Sequence, residues 1–156
     1  MTKTNALRLL DTAGISYDTA EYEYDENDLS GSHLAKQLGL DPDCVFKTLV
    51  CVDERGEHKV FCIPVEFELD LKKCAVVCGS KRVEMIHVKE LLPLTGYMRG
   101  GCSPLGMKKK FPTFIDETAL LNEKVYVSAG RRGLQMILSP GDLAAVAEAE
   151  FADLTK

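Results

Sequence analysis

One lysine interrupts an apolar segment of the sequence. Lys47 lies within Val45–Val52, whose composition predicts a strand buried on both faces, and alternation places Lys47 on the side of Val45, Leu49 and Cys51. Burying an ammonium group without partners is costly. The lysine is therefore either a functional cation in a cleft, holding an anionic or carbonyl oxygen, or an edge lysine whose amine reaches water. The pattern alone leaves both open and favours the edge lysine slightly.

A glycine-rich loop is the second candidate feature. Residues Gly100–Gly106 read Gly-Gly-Cys-Ser-Pro-Leu-Gly, and glycine lets the backbone approach a ligand and present N–H groups to it. A nucleotide-triphosphate loop is excluded, because Met107 and Lys108 stand where that motif requires lysine and then serine or threonine. An ordinary connection between elements is the alternative interpretation of this loop.

A third candidate is the small-residue end of a predicted strand. Ser128, Ala129 and Gly130 follow Val125–Val127 and are suited to the rim of a pocket. A hairpin end with a serine turn would give the same pattern.

Conventional catalytic sets are absent from the sequence. The three histidines are scattered, no cysteine or histidine cluster has metal-ligand spacing, and Gly-x-Ser-x-Gly does not occur. We therefore expect no metal and no cofactor. Cys102 is the only cysteine in a polar loop, so it could be a nucleophile or a redox thiol. No nearby base supports the first role, and no resolving partner supports the second.

Charge and composition limit the partners. The net charge of −5 argues against a broad nucleic-acid surface, so contact with RNA requires a local patch, such as Lys108–Lys110, Arg131–Arg132 or Lys81–Arg82. The six cysteines lie mostly in apolar runs, no leader is recognisable, and no apolar run could span a bilayer. These features predict a reduced, cytoplasmic protein with no membrane contact, and they leave the oligomeric state open.

The predicted helices and strands that must position these residues are mixed along the sequence, and no linker divides them. We predict one domain over residues 1–156, of mixed α/β class, with a mixed, partly closed sheet or barrel surrounded by helices. Helices are predicted at about 4–12, from about 32, after Asp70, at 88–92 with an end near Pro93, and after Ser139. Strands are predicted at 15–24, 45–52, 59–65, 83–87, 113–116, 124–128 and 134–138, the last two joined as a hairpin.

Several short motifs, in this order and spacing, together resemble one family. They are Phe46–Leu49, Leu69–Lys73, Lys81–Met85, Thr95–Tyr97, Gly100–Gly106 and Ser128–Leu134, and the resemblance covers nearly the whole chain. The sequence resembles the YbaK/EbsC-type Cys-tRNA(Pro) deacylases, which are related to the editing domain of bacterial prolyl-tRNA synthetases.

The resemblance implies hydrolysis of mischarged tRNA, most simply Cys-tRNA(Pro), with prolyl-tRNA synthetase as a possible partner. It implies that the thiol of the substrate attacks the ester, so that the enzyme supplies no nucleophile. Lys47 and Gly101 are the implied catalytic residues. The implied substrate-binding residues are Tyr22, Gly100, Cys102, Ser103, Pro104, Ser128, Gly130 and Gln135.

Two departures and two rival functions accompany this resemblance. Some family members carry an acidic residue where this chain has Gln135, and Cys102 and Met107 replace residues that are commonly isoleucine and glutamine. The rival functions are a non-catalytic binding module for aminoacyl-tRNA ends and a thiol redox protein built on Cys102.

Overall fold

The structure is a computed structural model that describes residues 3–156. Within them the helices are α1 (Asn5–Thr12), α2 (Gly31–Leu38), α3 (Leu71–Val77), α4 (Val88–Thr95) and α5 (Pro140–Ala147). The strands are β1 (Asp18–Glu21), β2 (Phe46–Asp53), β3 (His58–Pro64), β4 (Val83–Met85), β5 (Thr113–Asp116), β6 (Val125–Arg131), β7 (Leu134–Leu138) and β8 (Glu150–Ala152). Two short 3-10 helices lie at Pro42–Cys44 and Glu117–Leu121.

The strands form two sheets. The larger sheet has the order β4-β2-β3-β5-β8, with antiparallel pairing up to β3 and parallel pairing beyond it. The smaller sheet, β1-β7-β6, is antiparallel. A single bridge between Val45 and Tyr126 joins the two sheets. The architecture is therefore mixed and partly closed, as predicted, but it is not a closed barrel.

The main core lies between the two sheets. Phe46, Cys62 and Ile115 from the larger sheet pack with Val127 and Met136 from the smaller one, and residues of α1 and α5 complete the cluster. A second cluster lies beneath α3, and a third lies between α2 and the residues next to β2 and β3. Burial of both inner faces by apolar side chains provides the main driving force for this arrangement.

Local signals set the helix ends. The side chains of Thr4, Ser30, Asp70 and Ser139 each accept a hydrogen bond from a backbone N–H of the helix that follows. The caps predicted at Asp70 and Ser139 are confirmed.

Helix α4 runs further than predicted, through Pro93 to Thr95. The backbone N–H of Gly96, at a φ of 86°, donates to Leu92 O at 2.8 Å and ends the helix there. Pro93 lacks a backbone N–H, but it does not end the helix; the end is fixed by the left-handed backbone of Gly96.

Other boundaries also differ from the prediction. Strand β1 is shorter than 15–24, since only four residues pair with β7. Strand β8 was not predicted; it has three residues and adds to the edge of the larger sheet beside β5.

Strand β2 has one open stretch of edge, which positions the site. Strand β4 pairs only with Cys51–Asp53, and the bridge to the smaller sheet is at Val45. Among the described residues, 47–49 therefore have a strand neighbour on the β3 side alone. No helix in residues 3–156 has the length and apolar character needed to cross a membrane.

Candidate functional site

A cavity of about 510 Å³ borders the open edge of β2. Its walls come from the start of α2, from residues 46–50 of β2, from the segment Met85–Leu91, and from Arg99, Gly100 and Cys102. Tyr22, Ser128 and Gln135 complete the lining on the side of the smaller sheet. The volume falls within the range of small-ligand sites.

Lys47 lies on the β2 wall of this cavity and is half-buried. No acidic side chain in residues 3–156 forms an ion pair with it. Burial lowers the pKa of Lys47, and the more distant charge of Glu68 opposes that shift in part. The edge location agrees with the edge-lysine interpretation, but the edge borders a cavity, so the ammonium can also meet a ligand.

Two polar side chains face each other across the β6–β7 hairpin. Ser128 and Gln135 are cross-strand partners, and both are buried in the cavity wall. The Ser128 hydroxyl accepts a hydrogen bond from the Gly130 N–H at 3.3 Å. Gln135 is 3% exposed, and its Oε1 has no hydrogen-bond partner among the described residues. A buried acceptor without a partner is costly for the folded state.

The glycine loop contributes only part of its length to the cavity. Gly100 and Cys102 lie in the lining, and neither backbone N–H has a partner among residues 3–156. The N–H of Gly101 instead donates to Met98 O at 2.9 Å. A Cβ on Gly101 would lie 2.8 Å from the backbone nitrogen of Arg132, so glycine is needed there for close packing against the hairpin.

The other residues predicted in this region lie outside the lining. Ser103 is fully buried and its hydroxyl accepts a hydrogen bond from the Leu105 N–H at 3.2 Å, while Pro104 is also buried. Gly130, at a φ of 103°, leaves room for the ring of Tyr97. These three positions shape the loop and the hairpin beneath the cavity.

Cys102 is a poor candidate for a nucleophile. Its side chain is 7% exposed, and burial, with the nearby Cys62 thiol, raises the pKa of Cys102 to about 12. At pH 7 such a thiol is almost entirely protonated.

Comparison with known proteins identifies the family. The sequence model of the aminoacyl-tRNA editing domain matches residues 28–146. A relative from Enterococcus faecalis is 44% identical over 153 residues, covering 98% of this chain and 93% of the relative. This chain belongs to the aminoacyl-tRNA editing domain family. The resemblance predicted from the motifs is therefore confirmed. The name of the relative is "Putative Cys-tRNA(Pro)/Cys-tRNA(Cys) deacylase EbsC".

Solved structures share the fold of this editing domain. The hypothetical protein APE2540 has a TM-score of 0.89 at 23% identity, over 98% of this chain and all of that one. A second structure, described as "a putative trans-editing enzyme for prolyl tRNA synthetase", has a TM-score of 0.83 at 25% identity, over 99% of each chain. The extent of the domain over residues 1–156 stays a prediction, since the family match covers 28–146.

The editing domain thus gathers six predicted site residues around one cavity and leaves four outside it. Those in the lining are Tyr22, Lys47, Gly100, Cys102, Ser128 and Gln135, and those outside it are Gly101, Ser103, Pro104 and Gly130. The functional roles of all ten stay predictions. In the described part of the chain, no group of three or more metal-ligating side chains is close enough to hold an ion.

Sequence reasoning missed one whole wall of the cavity. Residues 29–31 and 86–91 carry no chemical motif, and they reach the site because the fold brings the starts of α2 and α4 to the cavity that β2 lines. Arg99 was also missed, although its position next to the glycine loop was a usable signal.

Two of the three lysines in the predicted basic patch at 108–110 already have partners within the protein. Lys108 donates to Pro93 O at 3.4 Å, and Lys110 forms an ion pair with Glu148. None of the three lysines lines the cavity.

Proposed function

We propose that this editing domain hydrolyses Cys-tRNA(Pro) in trans, and that the thiol of the misattached cysteine attacks its own ester. The proposal rests on the family, on the name carried by the Enterococcus faecalis relative, and above all on the unpaired ammonium of Lys47 in a ligand-sized cavity. Prolyl-tRNA synthetase, in the same cytoplasmic compartment, is the proposed supplier of the tRNA.

The cavity suits the aminoacylated end of a tRNA. Its volume of about 510 Å³ is sufficient for an amino acid esterified to a terminal adenosine. Tyr22 offers an aromatic ring to that end of the substrate, and Ser128 and Gln135 offer polar side chains on the same side of the cavity.

The chemistry requires no nucleophile from the protein. The substrate thiol loses its proton as its sulfur attacks the ester carbonyl and forms the C–S bond of a four-membered thiolactone. The ester C–O bond breaks, and the leaving ribose oxygen takes up a proton. Water then opens the thiolactone to free cysteine. Because the thiol and the carbonyl belong to one residue, holding them in a suitable conformation supplies a large part of the rate.

The protein stabilises the negative charge that develops on the carbonyl oxygen. Lys47 is the proposed cation, and the free N–H groups of Gly100 and Cys102 are the proposed donors on the opposite side. Gly101 was predicted to donate, but its N–H is already bonded to Met98 O. Its part in the proposal is therefore to bring the loop against the hairpin.

A deacylation panel tests the proposal. Proline tRNA charged with cysteine, serine, alanine or proline is incubated with the protein, and release of the amino acid is followed over time. We expect Cys-tRNA(Pro) to be cleaved at least about 100-fold faster than Ser-tRNA(Pro), because a hydroxyl is the weaker nucleophile at neutral pH.

Two Cys102 variants control for an enzyme thiol. Cys102→Ala and Cys102→Ser should keep most of the activity, since the buried thiol is protonated. Equal rates on the cysteine and serine esters would favour an activated water. Tight binding without turnover would instead support the non-catalytic module. Loss of turnover in both folded Cys102 variants, with a trapped aminoacyl-enzyme in the parent protein, would overturn the substrate-thiol mechanism.

A further inference from the structure

Two arginines, one in the cavity lining and one hydrogen-bonded to its backbone, lack acidic partners among residues 3–156. Arg99 is exposed and lies in the cavity lining, and Arg132 is half-buried in the turn between β6 and β7. Neither forms an ion pair within residues 3–156. The adjacent Arg131, by contrast, contacts Glu21 at 3.5 Å.

The side chain of Arg132 is held in one orientation by a backbone group. Its Nε donates to Arg99 O at 2.8 Å. This bond uses one of the five N–H groups of the guanidinium and leaves the two terminal nitrogens free. A planar guanidinium fixed in this way is prepared to form paired hydrogen bonds with an anion.

The backbones that carry the two arginines are also in direct contact. Gly101 packs so closely on the hairpin that a Cβ would lie 2.8 Å from Arg132 N and 2.9 Å from Arg131 C. The glycine loop and the hairpin turn therefore support each other, and Arg99 and Arg132 are presented from one rigid unit.

A phosphodiester is the anion that matches this position. If the aminoacyl ester occupies the cavity, the phosphate 5′ to the terminal adenosine is attached to the same ribose and must lie towards the mouth. Two uncompensated guanidinium groups at this place, on a chain with a net charge of −5, provide the local positive field that such a phosphate requires.

We infer that Arg99 and Arg132 bind the phosphate group on the 5′ side of the terminal adenosine of the substrate RNA. This inference rests on the proposed function for the contents of the cavity. It replaces the patch at 108–110 as the predicted contact with the RNA backbone.

Two nucleotide probes that differ by one phosphate test the inference. Binding of adenosine 5′-monophosphate and of adenosine is measured by NMR titration, and hydrolysis is measured on the cysteinyl esters of the same two compounds. The parent protein should prefer the phosphate-bearing member by about tenfold in both measurements. Arg99→Gln and Arg132→Gln should each lose most of that preference, whereas their affinity for adenosine should stay the same.

Lys124→Gln is the matched control, since it removes one exposed positive charge at the other end of β6, roughly 20 Å from the turn. It should keep the full preference. Arg99→Lys should keep part of it, because the charge remains without the planar fork. Thermal unfolding of each variant shows whether the hairpin is intact, and Arg99→Gln, being exposed, carries the test if Arg132→Gln is unstable.

The outcomes separate this inference from the proposed function. Equal binding of the two probes by the parent protein, or an unchanged preference in folded Arg99→Gln, would overturn the arginine assignment even if Cys-tRNA(Pro) is hydrolysed. A preference that depends on both arginines, in a protein that hydrolyses no ester, would support the assignment and refute only the deacylase.

Discussion

The two ends of β2 each hold a charged side chain, and the protein surrounds them differently. Asp53, at one end, is buried, and its carboxylate accepts hydrogen bonds from the N–H groups of Arg55 and Glu57, from the Ser80 hydroxyl and from the Arg55 guanidinium. Lys47, at the other end, has no ion-pair partner in residues 3–156.

The pKa values reflect this difference. Burial of Asp53 acts to raise its pKa, but the hydrogen bonds outweigh it and lower the pKa to about 2. Burial of Lys47 lowers its pKa, and only the distant Glu68 opposes the shift. The direction of each pKa shift thus reports how well the surrounding groups stabilise the charged form. Asp53, whose charge serves the fold, has a complete set of hydrogen-bond partners. The charge left without partners is the one available to a ligand.

Removing the unpaired charge should have the largest effect on activity. Lys47→Ala should lower kcat/KM for Cys-tRNA(Pro) by at least about 100-fold, because one stabilising group for the oxyanion is lost. Thermal stability should stay the same or increase, since burial disfavours the ammonium. Deacylation rates and melting curves of the same preparations test both statements.

Lys59→Met is the control for Lys47→Ala. Lys59 lies on the neighbouring strand, is 7% exposed and contacts Glu57 at 3.6 Å. Because it is paired and outside the cavity, its replacement should leave activity within about twofold. A fully active, folded Lys47→Ala protein would remove Lys47 from the site.

Replacing Gln135 in the cavity wall should have the next largest effect on activity. Gln135→Leu should raise KM by about tenfold, since the cavity wall loses a polar side chain. Stability should not fall, because an unsatisfied buried oxygen is removed. Gln135→Glu keeps an acceptor and should keep most of the affinity. A loss of stability in Gln135→Leu with an unchanged KM would show that Gln135 serves the fold.

Replacing Asp53 should lower the stability of the protein and change its activity little. Its pKa of about 2 lies below the usual 3.8, so its contribution to stability is present above pH 4 and is lost as the pH falls towards 2. Asp53→Asn should therefore be less stable at pH 7, and its stability should depend less on pH in the range 4 to 2. Urea unfolding at several pH values, with deacylation as the parallel assay, distinguishes this from a role in the site.

The sequence was sufficient for features set by near neighbours. The caps at Asp70 and Ser139 could be predicted because the capping side chain and the N–H it binds are two or three residues apart. The β6–β7 hairpin and the lysine in β2 were also predictable, since strand alternation and turn residues are local signals.

Features that depend on distant contacts could not be predicted. Strand β8 is a strand only because β5 offers an edge to it. Residues 85–91 join the site because the fold brings them to the cavity that β2 lines, and whether the Oε1 of Gln135 has a partner depends on which distant groups surround it. Gly101 was predicted from the glycine-rich loop, but the structure gives another reason for a glycine there, since it makes room for the backbone of Arg132.

The open edge of β2 has a consequence for self-association. An unpaired strand edge offers its peptide groups to any other extended chain, and natural proteins protect such edges with charge or with cover. Here α2 and α4 flank the opening at residues 47–49, and Lys47 places a positive charge within it. We therefore expect the side chain proposed for catalysis to oppose intermolecular β-pairing at this edge as well.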